Sequence, residues 1–209
     1  MTTSLLIFGA SRGTGEALTK QALIQGYHCY AVVRNLVTAA KLTALGVTTF
    51  VGDANDPIIV ERACQAAGVG CTIISTLGGE KANYQAQINI INQAEKSGIK
   101  RMILVTSLGC GDSWPTLSER AKAAFGFAVR EKTLSEVWLQ TSSLDYAILR
   151  PGGLLDGEPT HNAEYVQGKE VHGYIRRQDL ALLILEQVNQ RSLNKQIYAV
   201  VDPFLVVDR

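Results

Sequence analysis

The sequence contains no cysteine pair spaced to clamp a metal. Its four cysteines, Cys29, Cys64, Cys71 and Cys110, stand singly, and the three histidines (His28, His161, His172) are equally dispersed. That spacing carries neither a zinc site nor a disulfide framework, so the thiols are expected to be idle or buried in a reducing, cytoplasmic compartment. A surplus of charge is missing too. Lys and Arg number 20 against 19 Asp and Glu, a net charge of +1, which offers no general field for nucleic acid or an anionic membrane. Long apolar runs are lacking: Leu5 to Phe8 is too short to cross a bilayer, and no basic start precedes an apolar segment. Repeats, low-complexity tracts and linkers are absent. What remains is 209 residues, 46% hydrophobic and 19% charged, the size and balance of one domain with a proper core. A monomer is expected.

The stretch that organises this chain runs from Ser4 to Gly15. An apolar run, Leu5 to Phe8, breaks into Gly9, Gly13 and Gly15; Leu18 and Ala22 follow four apart, and Gly26 stands where a helix would stop. This spells a buried strand, a tight turn and a helix, the context that gives a glycine triplet its meaning. Gly9 allows the sharp reversal and Gly13 leaves room for a phosphate to touch backbone. Gly15 lets the helix pack closely on the strand, so that its N–H groups and positive dipole end face an anion. Ser11, Arg12 and Thr14 lie in the same turn, and Arg12 adds a positive charge. The reading Gly9-x-x-x-Gly13-x-Gly15 resembles the short-chain dehydrogenase/reductase superfamily. Gly9, Ala10 and Gly15 fit the G-A-T-G-x-x-G frame of its atypical branch, while Arg12 replaces the second glycine of that frame.

A second strand, His28 to Val33, ends at Arg34-Asn35, about twenty residues past the turn, where the adenosine ribose is expected. An enzyme preferring NAD places an acid there; Arg34 would instead pair with a 2′-phosphate, which favours NADP(H). Asn35 caps a helix to about Leu45. Val47 to Val51 is a third strand, followed by Asp53 and Ala54, and then by Asp56-Pro57 opening a helix. In the superfamily an acid and a small residue at the place of Asp53 and Ala54 hold the adenine, although Asp53 also suits a turn. Cys71 to Thr76 carries no charge, as a strand buried on both faces should not. Leu77-Gly78-Gly79 then lets bare backbone run against the dinucleotide. A helix over Lys81 to Ser97 presents Tyr84, Ile88, Ile91 and Ala94 as its stripe. Arg101 to Thr106 is the fifth strand, Leu117 to Thr141 a long helix, and Tyr146 to Arg150 a sixth strand ending in Pro151-Gly152-Gly153. From Leu154 to Tyr174 the pattern dissolves, which suggests a short substrate-side flap over about residues 152–175. A helix over Gln178 to Gln190 and a strand over Gln196 to Val201 follow. This alternation predicts an α/β fold: one doubly wound parallel sheet of Rossmann type, in the order 3-2-1-4-5-6.

The tyrosine of Y-x-x-x-K is the most telling absence. The superfamily's lysine lowers that tyrosine's pKa so that its hydroxyl serves as acid or base on a carbonyl. Lys132 is suitably placed, but the residue four before it is Ala128. A literal match at Tyr165 to Lys169 falls in the flap. Ser107, at the end of the fifth strand, is level with the superfamily's catalytic serine and also suits a strand-end turn. No Gly-x-Ser-x-Gly elbow surrounds it. Thr106-Ser107, Trp114-Pro115, Lys132, Ser143-Leu-Asp-Tyr, Pro151, Asp156-Gly-Glu-Pro and Arg177-x-Asp179-Leu180 together resemble the biliverdin-IXβ reductase/flavin reductase group. That resemblance implies a single domain binding NADPH and passing hydride to a planar acceptor, a flavin or a linear tetrapyrrole. Such an acceptor needs little beyond orientation and water access for its proton. Ser107 and Lys132 are then the candidate catalytic residues, with Thr76, Leu77, Gly78, Thr106 and Pro151 as further cofactor contacts. Trp114, Gly152 and Gly153 would line the acceptor side. Where the mammalian enzyme has two histidines, this chain has Gly152-Gly153 and Lys132. Arg177 and Asp179 look like a helix-start pair holding the flap. The other reading is an NADP-binding redox sensor of NmrA-like type, without turnover.

Overall fold

The computed structural model describes residues 4–78 and 84–206. Strands and helices alternate as β1 (Ser4–Phe8), α1 (Gly13–Ile24), β2 (His28–Val33), α2 (Leu36–Ala44), β3 (Thr48–Val51), α3 (Pro57–Ala67), β4 (Thr72–Ser75), α4 (Tyr84–Lys96), β5 (Arg101–Val105), α5 (Glu119–Gln140) and β6 (Asp145–Pro151). Three short strands follow, β7 (Gly153–Leu155), β8 (Glu164–Val166) and β9 (Tyr174–Arg176), then α6 (Arg177–Asn189) and β10 (Gln196–Val201). The main sheet runs β3-β2-β1-β4-β5-β6-β10-β8. The expected parallel order 3-2-1-4-5-6 is present and extended on one side by parallel β10 and antiparallel β8. The order reverses between β1 and β4, which pair directly, and that switch point is where an open α/β sheet receives its ligand.

Successive strand residues point to opposite faces, and the core divides accordingly. Leu5, Ile7, Ile74, Ile103 and Leu149 pack with Leu18, Leu180 and Ile184 of α1 and α6 on one face. Leu6, Phe8, Ile73, Met102 and Ile148 pack with Ala63, Ile90 and Leu139 on the other. Each fully buried side chain of this size contributes roughly 1.5–3 kcal/mol of transfer free energy, so a sheet covered on both faces dominates the stability. Helix starts are closed by their own side chains: Asn35 accepts from the Thr38 N–H, Asp56 from Ile58 and Ser118 from Ala121. All four cysteines are free and buried; burial pushes the Cys29 thiol up to about 11 and that of Cys64 to about 12.

Two expectations need correction. The span from Leu154 to Tyr174 is not patternless. β7 pairs with β9 as a small parallel ribbon, and β8 joins the main sheet. At three residues each, these strands are too short to display a period among Gly, Pro and Asn. The buried face of α4 is Ala86, Gln87, Ile90, Ile91 and Ala94, with Tyr84 and Ile88 only half-buried at its margin. The expected helix start at Lys81, like Gly79, lies outside the described residues. Before α5, Gly111–Thr116 forms a 3-10 turn. Among the described residues no helix is long and apolar enough to cross a membrane, and no three acids, histidines or cysteines gather to hold a metal ion.

Candidate functional site

At the C-terminal ends of the parallel strands, the glycine turn folds as its residues dictate. Gly9 has φ +95°, a conformation that side chains rarely adopt. A Cβ on Gly15 would stand 2.1 Å from the Gly9 carbonyl oxygen, so strand and helix touch there backbone to backbone. Thr76, at the end of β4, ties the turn down: its hydroxyl donates toward the carbonyls of Phe8 at 3.2 Å and Gly9 at 3.4 Å. Unlike α2, α3 and α5, α1 starts without a side-chain cap, since Arg12 occupies the cap position. Thr14 is buried with its hydroxyl oxygen unpartnered. Uncapped N–H groups, a helix dipole and an orphaned hydroxyl in one turn form a cradle for an anion, and they fit the diphosphate of a dinucleotide.

Arg34 extends from the end of β2 into solvent and has no ion-pair partner among the described residues. Asp53 lies nearby, past β3; its Oδ1 accepts from the Asn55 backbone and side-chain amides at 2.8 Å. The turn role of Asp53 is therefore realised. Ala54 is buried, and its carbonyl accepts from Asn89 of α4.

The opposite half of the site centres on Lys132. Its ammonium donates to the Thr106 carbonyl at 2.9 Å and would lie 3.8 Å from a Cβ on Gly78, so it spans the ends of β4 and β5. Burial holds this amine below the ordinary lysine range, with Cys110 and Glu136 opposing the shift. Ser107 is half-buried beside it, and its hydroxyl makes no hydrogen bond among the described residues. The Pro151 carbonyl accepts from the Leu108 N–H at 2.9 Å, which joins the β5 and β6 loops. Leu77 is half-buried next to Gly78.

Under this half lies a network that the sequence reading missed. Glu136, one turn along α5 from Lys132, accepts from the Thr106 hydroxyl at 2.6 Å and from Arg150 at 3.1 Å (Nε) and 2.7 Å (Nη2). Arg150 also donates to Asp112 at 2.5 Å. Burial disfavours the Arg150 charge, yet the Glu136 and Asp112 carboxylates raise its pKa above the ordinary range. The signal was available. Arg150 is the one charged residue among the inner positions of β6, and a buried charge requires a partner.

Trp114 sits on α5. Its ring edge would lie 3.1 Å from a Cβ on Gly126, and Lys122 and Arg130 stand 5.9 Å and 5.2 Å from its centroid. The residue anchors the 3-10 turn through packing and cation–π contact. Gly152 and Gly153 permit close approach: a Cβ on the first would meet the Gly173 carbonyl at 2.4 Å, and on the second the Tyr174 ring at 2.5 Å. A groove of about 240 Å³ opens between Leu108, Ser113 and Thr116 on one side and Gln167 to Val171 on the other, with Arg150 at its floor. Trp114 is not among its lining residues.

A family model described as NAD(P)H-binding matches residues 9–191. Among solved structures, ChuY, an anaerobillin reductase from Escherichia coli O157:H7, is 55% identical with a TM-score of 0.96, covering 99% of this chain and 100% of that one. ChuY from the E. coli CFT073 strain is 53% identical, with a TM-score of 0.92 over 99% of this chain and 100% of that chain. A curated relative, the photosystem II assembly factor Ycf39 of Synechocystis sp. PCC 6803, is 23% identical over 94% of this chain. The chain spans only 62% of that relative's length.

Proposed function

This chain belongs to the NAD(P)H-binding family, and from that premise we propose that it is an NADPH-dependent reductase of linear tetrapyrroles, with flavins as a second planar acceptor. The observation that carries this reading is the 55% identity, over nearly the full length of both chains, with a protein described as an anaerobillin reductase. The missing tyrosine agrees with it, because a conjugated ring system can take a hydride without a protein acid at the reacting carbon.

The dinucleotide, when bound, supplies the hydride. The chain's own residues place it. Gly9, Ser11, Arg12, Gly13, Thr14 and Gly15 hold the diphosphate at the α1 start. Asp53 and Ala54 would hold the adenine, and Thr76, Leu77, Gly78, Thr106 and Pro151 would hold the nicotinamide half. Lys132 and Ser107 orient the reacting groups, and the accompanying proton comes from water. The acceptor lies along the groove over Leu108 and the 167–171 segment. At about 240 Å³ that groove is smaller than an enclosed ligand pocket of roughly 300–1,000 Å³, so the acceptor is held on a shelf open to solvent. Gly152 and Gly153 do not line that groove; they let β6 and β7 pass close to Gly173 and Tyr174.

Arg34 sets the cofactor preference. Arg34→Glu is expected to raise the NADPH KM by about tenfold or more, the worth of a charge-assisted phosphate contact, and to leave the NADH value within about threefold. Equal change in both constants would refute the assignment. The reductase reading is tested by steady-state NADPH oxidation with a linear tetrapyrrole, and separately with FMN. Turnover with the tetrapyrrole supports it; tight NADPH binding without turnover on either acceptor overturns it. That second outcome would favour a regulatory, non-catalytic NADP-binding protein, a reading supported by the relative named as an assembly factor.

A further inference from the structure

Arg177 opens α6, 164 positions beyond Gly13, yet the two residues are neighbours. A Cβ on Gly13 would stand 3.3 Å from Nε and 3.5 Å from Cδ of Arg177, so the arginine stem lies over the first turn of α1. Its Nη1 donates to Asp156 Oδ1 at 2.9 Å. The arginine side chain is 28% exposed and the aspartate 89%. A largely withdrawn cation is thus held by an anion almost wholly in water, the kind of pair that contributes about 1 kcal/mol or less. Arg176 independently binds the Asp156 backbone carbonyl, so the loop stays anchored if Arg177 changes partner. A groove of about 250 Å³ runs beside these groups, lined by Gly13, Glu16, Lys20, Asp156, Gly157 and Arg177. Thr14, in the same turn, is 7% exposed with its hydroxyl oxygen unpartnered.

We propose that Arg177 is a phosphate-binding residue of the dinucleotide site, supplied from the far end of the sequence, and that Asp156 is its counter-ion when no anion occupies the turn. This assignment rests on the cofactor reading of the glycine turn. Guanidinium donors match diphosphate oxygens in pairs, and the uncapped α1 N–H groups complete the same anion from below. The incoming diphosphate displaces the Asp156 carboxylate, so cofactor affinity is set by a competition between the two anions.

The test is calorimetric titration of NADPH, adenosine diphosphate and adenosine into the parent, R177Q and D156N proteins at fixed ionic strength, with thermal unfolding as the folding control. R177Q is expected to weaken NADPH and adenosine diphosphate by about tenfold and to leave adenosine unchanged. D156N is expected to tighten both phosphate ligands by about two- to threefold. The proposal fails if R177Q binds within twofold of the parent, or if D156N weakens binding as R177Q does, since the pair would then be a strap. If the parent itself takes up neither NADPH nor adenosine diphosphate, the cofactor reading falls as well, which separates the two failures.

Discussion

Replacing Glu136 with alanine lowers the unfolding free energy by about 3–5 kcal/mol, the cost of breaking a buried ion pair from one side. Glu136 is 1% exposed and Arg150 6%, so neither charge has water to fall back on. The alanine leaves Arg150 with Asp112 alone, a carboxylate whose side chain is 90% exposed, and strips the Thr106 hydroxyl of its acceptor. For a domain of this size the melting temperature should drop by on the order of 10 °C, measured by thermal or urea unfolding. Asp112→Ala, by contrast, should cost about 1 kcal/mol or less. A double change, Glu136→Leu with Arg150→Met, should recover most of the loss, because apolar groups of similar volume commonly match or better a buried pair. Equal destabilisation by Glu136→Ala and Asp112→Ala would show that the carboxylate inside α5 is not the pair's principal anion.

Gly15→Ala should abolish measurable dinucleotide binding, with an affinity loss of at least about a hundredfold, or about 2.7 kcal/mol. Helix propensity alone argues the other way, since alanine gains about 1 kcal/mol over glycine inside a helix. Space decides. The added methyl would meet the Gly9 oxygen at 2.1 Å and the Thr76 hydroxyl at 2.6 Å, so α1 must move away from β1 and the cradle opens. Gly70→Ala is the matched control, because a Cβ there meets nothing within 4 Å; its binding should be unchanged. Calorimetric titration with NADPH reads both. Parent-like affinity in Gly15→Ala would place the diphosphate elsewhere.

Periodicity and punctuation made the sheet order readable. The run from Leu5 to Phe8 is wholly buried, and Leu18 and Ala22 face the core as their spacing implies. Asn35 and Asp56 cap where capping chemistry puts them, while α5 begins after its Ser118 cap rather than at the expected Leu117. What stayed hidden depends on contacts between distant positions. Nothing local in Glu136 distinguishes it from the solvated acids of a long helix; only its meeting with Arg150 and Thr106 makes it a core residue. Arg177 likewise reads as a helix-start charge until the fold lays it over Gly13. β8 and β9 escaped because three residues cannot show a period, and their register is imposed by β10 and β7 rather than by their own sequence.

The position of β10 has a consequence for how the protein comes into being. It lies between β6 and β8, and its Val200 carbonyl accepts from the Gly152 N–H. On the ribosome, the groove wall formed around β8 therefore has nothing to pair with until β10 has been made. The wall is therefore completed only when the last strand of the main sheet joins it, after every other strand of that sheet has been made.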